Sequence, residues 1–130
     1  MNLDEAYVFI FVRQDLFNWE QLVAVAHAAI EAGVDMVRNM PLAEAFTSGS
    51  RPNGHPNVII VGLPDEQQLE AVCGNLVNLK VEFETWTDPD NHSQGRTALF
   101  TQPMTKQTRN KLHHYRPWSE RNNLNPKGAG

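Results

Sequence analysis

Tyr7-Val8-Phe9-Ile10-Phe11-Val12-Arg13-Gln14-Asp15-Leu16 is the stretch that decides how this chain folds. Its first six residues are aromatic or β-branched without a polar interruption, the composition of a strand buried on both faces beneath helices. The corner Arg13-Gln14-Asp15 then sets ionisable groups at the strand's carboxyl end, where open α/β sheets build their sites. Beyond the corner the period changes from strand to helix. Asn18 is the expected cap, Gln21 completes a capping box, and Leu22, Val23, Ala26, Ile30, Val34 and Val37 recur at helical spacing. These six form the expected core face of the helix. His27 falls at the edge of their stripe, between core and solvent.

The remainder continues an α/β pattern. Asp35 to Phe46 reads as a less regular helical segment interrupted at Pro41, and Ser48-Gly49-Ser50-Arg51-Pro52-Asn53-Gly54 as a turn-rich loop. Val58 to Val61 is a short buried strand. Pro64 and Asp65 open a second helix with apolar positions Leu69, Val72, Cys73 and Leu76, expected to fray near Gly74. Val81 to Trp86 alternates apolar and polar, as a strand with one wetter face does, and Thr97 to Thr101 makes the last strand. This order favours parallel pairing with right-handed crossovers. Thr105 is placed to cap a short basic helix through Leu112 and Tyr115. From Arg116 onward the residues are mostly Pro, Asn, Ser and Gly around Trp118, too polar to form a core alone.

The chain has 130 residues, enough for one core and one α/β domain over 1–103, with 104–130 as a basic C-terminal helix and tail. No apolar run is long enough to span a bilayer and no signal-peptide form opens the sequence, so a cytoplasmic protein is expected. A single cysteine, Cys73, excludes an internal disulfide, and its place among Leu69, Val72 and Leu76 reads as core. The net charge of -4 hides a division. From Met1 to Pro103 five Lys or Arg stand against fourteen Asp or Glu, whereas from Met104 to Gly130 six basic residues stand against one acid. The basic residues Lys106, Arg109, Lys111 and Arg116 are candidates for holding a phosphate backbone, or for folding the tail onto the acidic body.

A family resemblance rests on two separated groups of residues. The strand, the Arg13-x-Asp15-Leu16 corner and the Ala26-His27-Ala28 helix resemble the start of the type-2 peptidyl-tRNA hydrolases. Trp86-Thr87-Asp88 and Arg96-Thr97-Ala98-Leu99-Phe100-Thr101-Gln102-Pro103 resemble that family's downstream D-A-G-x-T and T-x-L…P segments. The resemblance implies a mixed four-stranded sheet with helices on both faces, a homodimer, and an esterase that releases a peptide from tRNA or a related acylated nucleotide without a cofactor or metal. Cleaving that ester needs a positioned water, a group to take its proton, and donors for the oxyanion. His27 then orients or deprotonates the water, Asp88 holds the imidazole or the water, and Thr97 donates a hydroxyl hydrogen bond. Arg13, Asp15, Glu20 and Arg96 are the expected substrate contacts.

The pattern also departs from the family's. The usual lysine near the helix start falls on Glu20, the usual glutamine on Ala24, and the lysine ending the second strand on Gly62, while the D-A-G-x-T segment becomes Asp88-Pro89-Asp90 with a shortened sequel. Exchanging Lys for Glu inverts the charge facing an oxyanion, and loss of one oxyanion donor commonly lowers the rate by about 10²–10³. Arg13 and Arg96 are the available substitutes. The alternative function is a lapsed member of the fold that binds RNA, a nucleotide or a protein without turnover. Asp15 also reads as a turn cap, and Asp88, Asp90 and His92 as turn residues more simply than as metal ligands.

Overall fold

A computed structural model describes residues 6–38, 40–47 and 57–119. Its sheet is mixed and single. β1 (Ala6–Arg13) lies between β2 (Asn57–Leu63), parallel to it, and β4 (Arg96–Thr101), antiparallel, and β3 (Phe83–Thr87) pairs antiparallel with the far side of β4. The path β2-β1-β4-β3 is the expected mixed four-stranded sheet. A two-residue β5 (Met104–Thr105) pairs with Ala6 and Tyr7 after the chain leaves β4. At that junction the Thr101 hydroxyl accepts a hydrogen bond from the buried Phe9 N–H at 3.0 Å, filling a position the strand ladder leaves open.

β1 is buried along almost its whole length because alternate residues serve two cores. Val8, Ile10 and Val12 join Ala98 and Phe100 under α1 (Asn18–Val37) and α2 (Met40–Thr47). Phe9 and Phe11 join Leu99 under α3 (Glu66–Asn78), with Leu112 and Tyr115 from the segment after α4 (Lys106–Asn110) closing the same side. Phe9 and Phe11 stack at 5.7 Å, and Phe11 meets Tyr115 edge to face at 5.2 Å. Helices cover both faces, as the continuous apolar run requires.

α3 follows its sequence closely. The Asp65 side chain accepts from Gln68 N at 2.9 Å as N-cap, and Leu69, Val72 and Leu76 are fully buried. The expected fraying at Gly74 does not occur. Gly74 faces open space, so it lowers helix propensity without disturbing the buried face, and the helix runs on to Asn78. Lys80, at φ 59, closes the end with Lys80 N donating to Val77 O and Val81 N to Leu76 O, the two bonds of a Schellman cap. Cys73 is half-buried at the margin of this core.

α1 departs from its expected orientation. Leu22, Val23, Ile30, Val34 and Val37 face outward, and the buried face is Gln21, Ala24, Ala28, Ala32 and Met36. Small side chains let the helix axis sit close to the sheet, and β1 and β4 already supply large ones there, so alanine fills the space that leucine would overfill. The cap differs too. Phe17 is the N-cap, and Glu20 rather than Gln21 reaches back to it, accepting from Phe17 N at 3.0 Å. The interrupted segment resolves into the end of α1 and a separate α2, with Pro41 in its first turn, where a missing N–H is harmless. The loop 48–54 and the tail beyond Ser119 lie outside the described residues. No helix among the described residues is long and apolar enough to cross a membrane.

Candidate functional site

The sheet end formed by the carboxyl termini of β1 and β3 gathers the predicted residues. Register puts Trp86 opposite Ala98 and Ala98 opposite Val12, so Trp86 stands level with the last turn of β1. The His27 imidazole, exposed on α1, lies flat on the Trp86 ring with centroids 4.6 Å apart and planes 12° from parallel. Thr97, 1% exposed, donates its hydroxyl hydrogen to Trp86 O at 3.3 Å. His27 and Thr97 thus reach each other through one tryptophan. Asp88 follows two residues after Trp86 and accepts from Asp90 N at 2.8 Å, a turn closure. Among the described residues no hydrogen bond joins His27 to Asp88 or Thr97.

Arg13 is the hub of the same end. Its guanidinium grips Asp15 bidentately at 2.9 and 2.8 Å and donates through Nη1 to the carbonyls of Gln94 and Arg96. Burial works against its charge, but the Asp15 hydrogen bonds and charge, with Glu66 and Asp65 beyond, outweigh burial and raise its pKa above the usual arginine value. The hub therefore ties the loop 88–95 to the end of β1. Glu20 anchors that loop from the other side by accepting from Gln94 Nε2. Arg96 N donates to Glu66 and the Arg96 guanidinium, about one third exposed, pairs with Glu70 at 2.9 Å. Gly95, at φ +73, lies so near Glu66 that a Cβ would fall 2.2 Å from its carboxylate. The positive φ is what favours glycine here, since the Glu66 carboxylate sits at the end of a flexible side chain.

A third group sits beyond β2, and the sequence reading missed it. Gln21, 1% exposed, donates to Leu16 O at 2.8 Å and accepts from Trp118 Nε1 at 2.9 Å. Trp118 N donates to Ile60 O, Pro117 bridges to Val61, and Gln14 donates to Ser119 O. Residues 117–119 thus lie along the outer edge of β2. At Gly62 the Gln14 side chain comes within 2.0 Å of a hypothetical Cβ. No local pattern betrays Gln21.

Lys106, Arg109 and Lys111 do not extend this end, whereas Arg116, one residue before the Pro117–Val61 bridge, lies beside Gly62 and so at this end of the sheet. α4 starts beside Tyr7, at the opposite end of β1, roughly 17 Å along the strand from Val12 at about 3.3 Å per residue. Arg109 lies over the Tyr7 ring at 5.2 Å, while Lys106, Lys111 and Arg116 are exposed. A hollow of about 370 Å³ between α1 and the start of β3 is lined by Asp35, Glu82, Glu84 and Gln102. Its carboxylates disfavour phosphate, and it contains none of the predicted residues. Comparison with family models and with curated proteins finds no match for the chain.

Proposed function

We propose that the chain is an esterase acting on peptidyl-tRNA or a related acylated nucleotide, with the hydrolytic water held at His27. The observation that carries the reading is the contact chain from His27 through Trp86 to Thr97, which joins two motifs far apart in sequence. The imidazole edge is open to solvent while its face is fixed on the indole, so the ring keeps one orientation and still reaches a water. In the reaction the imidazole takes a proton from the water, whose oxygen attacks the ester carbonyl carbon. The bond to the ribose oxygen breaks, and that oxygen receives the proton as the hydroxyl leaves.

A second reading, binding without turnover, is favoured by a specific observation. Both arginines at this end are already neutralised, Arg13 by Asp15 and Arg96 by Glu70. Turnover of an N-blocked aminoacyl-tRNA separates the two. Under the esterase reading His27→Ala lowers kcat by roughly 10²–10⁴ with little change in substrate affinity, since a general base acts in the transition state. Wild-type protein that binds the tRNA and releases no acyl group establishes the second reading instead.

A further inference from the structure

We propose that the outward face of α1 is the interface of a two-fold symmetric dimer of this chain. α1 is apolar on both sides, and a helix apolar all round is ordinarily covered all round. One side meets the sheet. On the other, Trp19, Leu22, Ile30, Val34 and Val37 are 53 to 68% exposed, and Met40 at the start of α2 extends the patch at 60%.

With Phe17 and Val23 at its margin, this face leaves on the order of 700 Å² of apolar side chain in water, taking a large side chain as roughly 150–250 Å². That exceeds the largest patch of a typical monomer, about 300–600 Å². It approaches the roughly 800 Å² that each partner contributes to a stable interface of standard size.

The patch chemistry selects a second copy as the occupant. Around a two-fold axis each residue meets its own counterpart, so a charge at the centre would face a like charge. Ala26, Ile30 and Gly33 form the centre and carry none. Along α1, Trp19, Val23, Ala26, Ile30, Gly33 and Val37 are spaced alternately four and three residues apart, the seam along which two helices interlock. Gly33 faces open space in the middle of a long helix, where glycine is less favourable than alanine. Bare backbone there gives a side chain from the second helix a place to seat. A membrane-surface helix would instead carry a lysine- and arginine-rich rim. From Asn18 to Arg38 the one basic residue is Arg38.

Sedimentation equilibrium on the full chain tests the proposal. Wild type sediments as a dimer at low micromolar concentration, and Ile30→Lys weakens association by at least roughly a hundredfold, as expected for a central interface position. Ile30 is exposed, so near-ultraviolet circular dichroism of the variant monomer stays native. Should that variant fail to fold, Ile30→Cys in a Cys73→Ser background decides the matter, because a thiol beside the axis forms a disulfide with its own copy on mild oxidation. A wild type monomeric at high micromolar concentration, a dimer indifferent to Ile30→Lys, or no cross-link in the Ile30→Cys variant overturns the assignment.

Discussion

α1 and α3 cover opposite faces of one sheet, and they do so by opposite means. α3 buries Leu69, Val72 and Leu76 and turns Gln67, Gln68, Glu70 and Asn78 outward. α1 buries Ala24, Ala28 and Ala32 with one glutamine, and turns Trp19, Leu22 and Ile30 outward. The difference teaches that helical spacing shows where an apolar stripe lies but not what covers it. On α3 the stripe and the sheet-facing side coincide. On α1 the larger stripe and the sheet-facing side are opposed, because the space above Val12, Ala98 and Phe100 accepts only small residues.

Truncating matched leucines gives the largest contrast. Leu69→Ala on α3 is expected to destabilise by about 2–5 kcal/mol, the range for a buried leucine leaving a cavity. Leu22→Ala on α1 changes monomer stability by no more than about 0.5 kcal/mol, as exposed positions do. Urea unfolding at concentrations too low for association measures both. Equal losses would show that the outward face of α1 is packed within a single chain.

The buried glutamine of α1 supplies the next test, since Leu69 on α3 occupies the equivalent inward role without polar atoms. Trp118→Ala leaves Gln21 Oε1 without its partner and costs about 1–3 kcal/mol for an unsatisfied buried acceptor. Adding Gln21→Leu to the Trp118→Ala background should recover part of that loss. No recovery would mean that the tryptophan acts by packing alone.

A smaller effect compares the two helical glycines, each facing open space. Gly74→Ala raises stability by about 0.5–1 kcal/mol through helix propensity at any protein concentration. Gly33→Ala does the same in the monomer, yet it weakens association if a second helix seats against that backbone. Thermal melts across a concentration series distinguish them, and identical behaviour of the two variants removes the distinction.

The smallest effect is at the edge of α3. Burial raises the pKa of Cys73 and Glu70 adds to it, with Arg96 pulling the other way. The protonated thiol is the form the fold favours, so its contribution to stability is complete below the ordinary thiol pKa and fades as pH rises through the raised value. Alkylation followed against pH should give an inflection above the ordinary thiol range, moved further up in Arg96→Gln. An inflection at or below that range would place Cys73 in water.

The sequence alone determined the class and the order of the four longer strands, while the two-residue β5 was not legible in it. Tyr7 to Val12 reads as a strand covered on both faces, since six aromatic or β-branched residues in a row suit both faces of the pleat. Asp65 and the Leu69, Val72 and Leu76 spacing determined α3 for an equally local reason, a cap beside a stripe. The presence of α1 and the placing of His27 at the edge of its stripe were legible too, and so was the polar corner at Arg13. Which side of α1 meets the sheet was not, because that depends on the depth of space left by Val12, Ala98 and Phe100, residues far apart in the chain. The same holds for the polar end of the sheet. Arg13 finds Gln94 and Arg96 O, Gln21 finds Trp118, and His27 finds Trp86 only after the strands are in register. Periodicity is local and survives in the sequence, whereas steric fit and the pairing of buried donors with distant acceptors exist only in the tertiary structure.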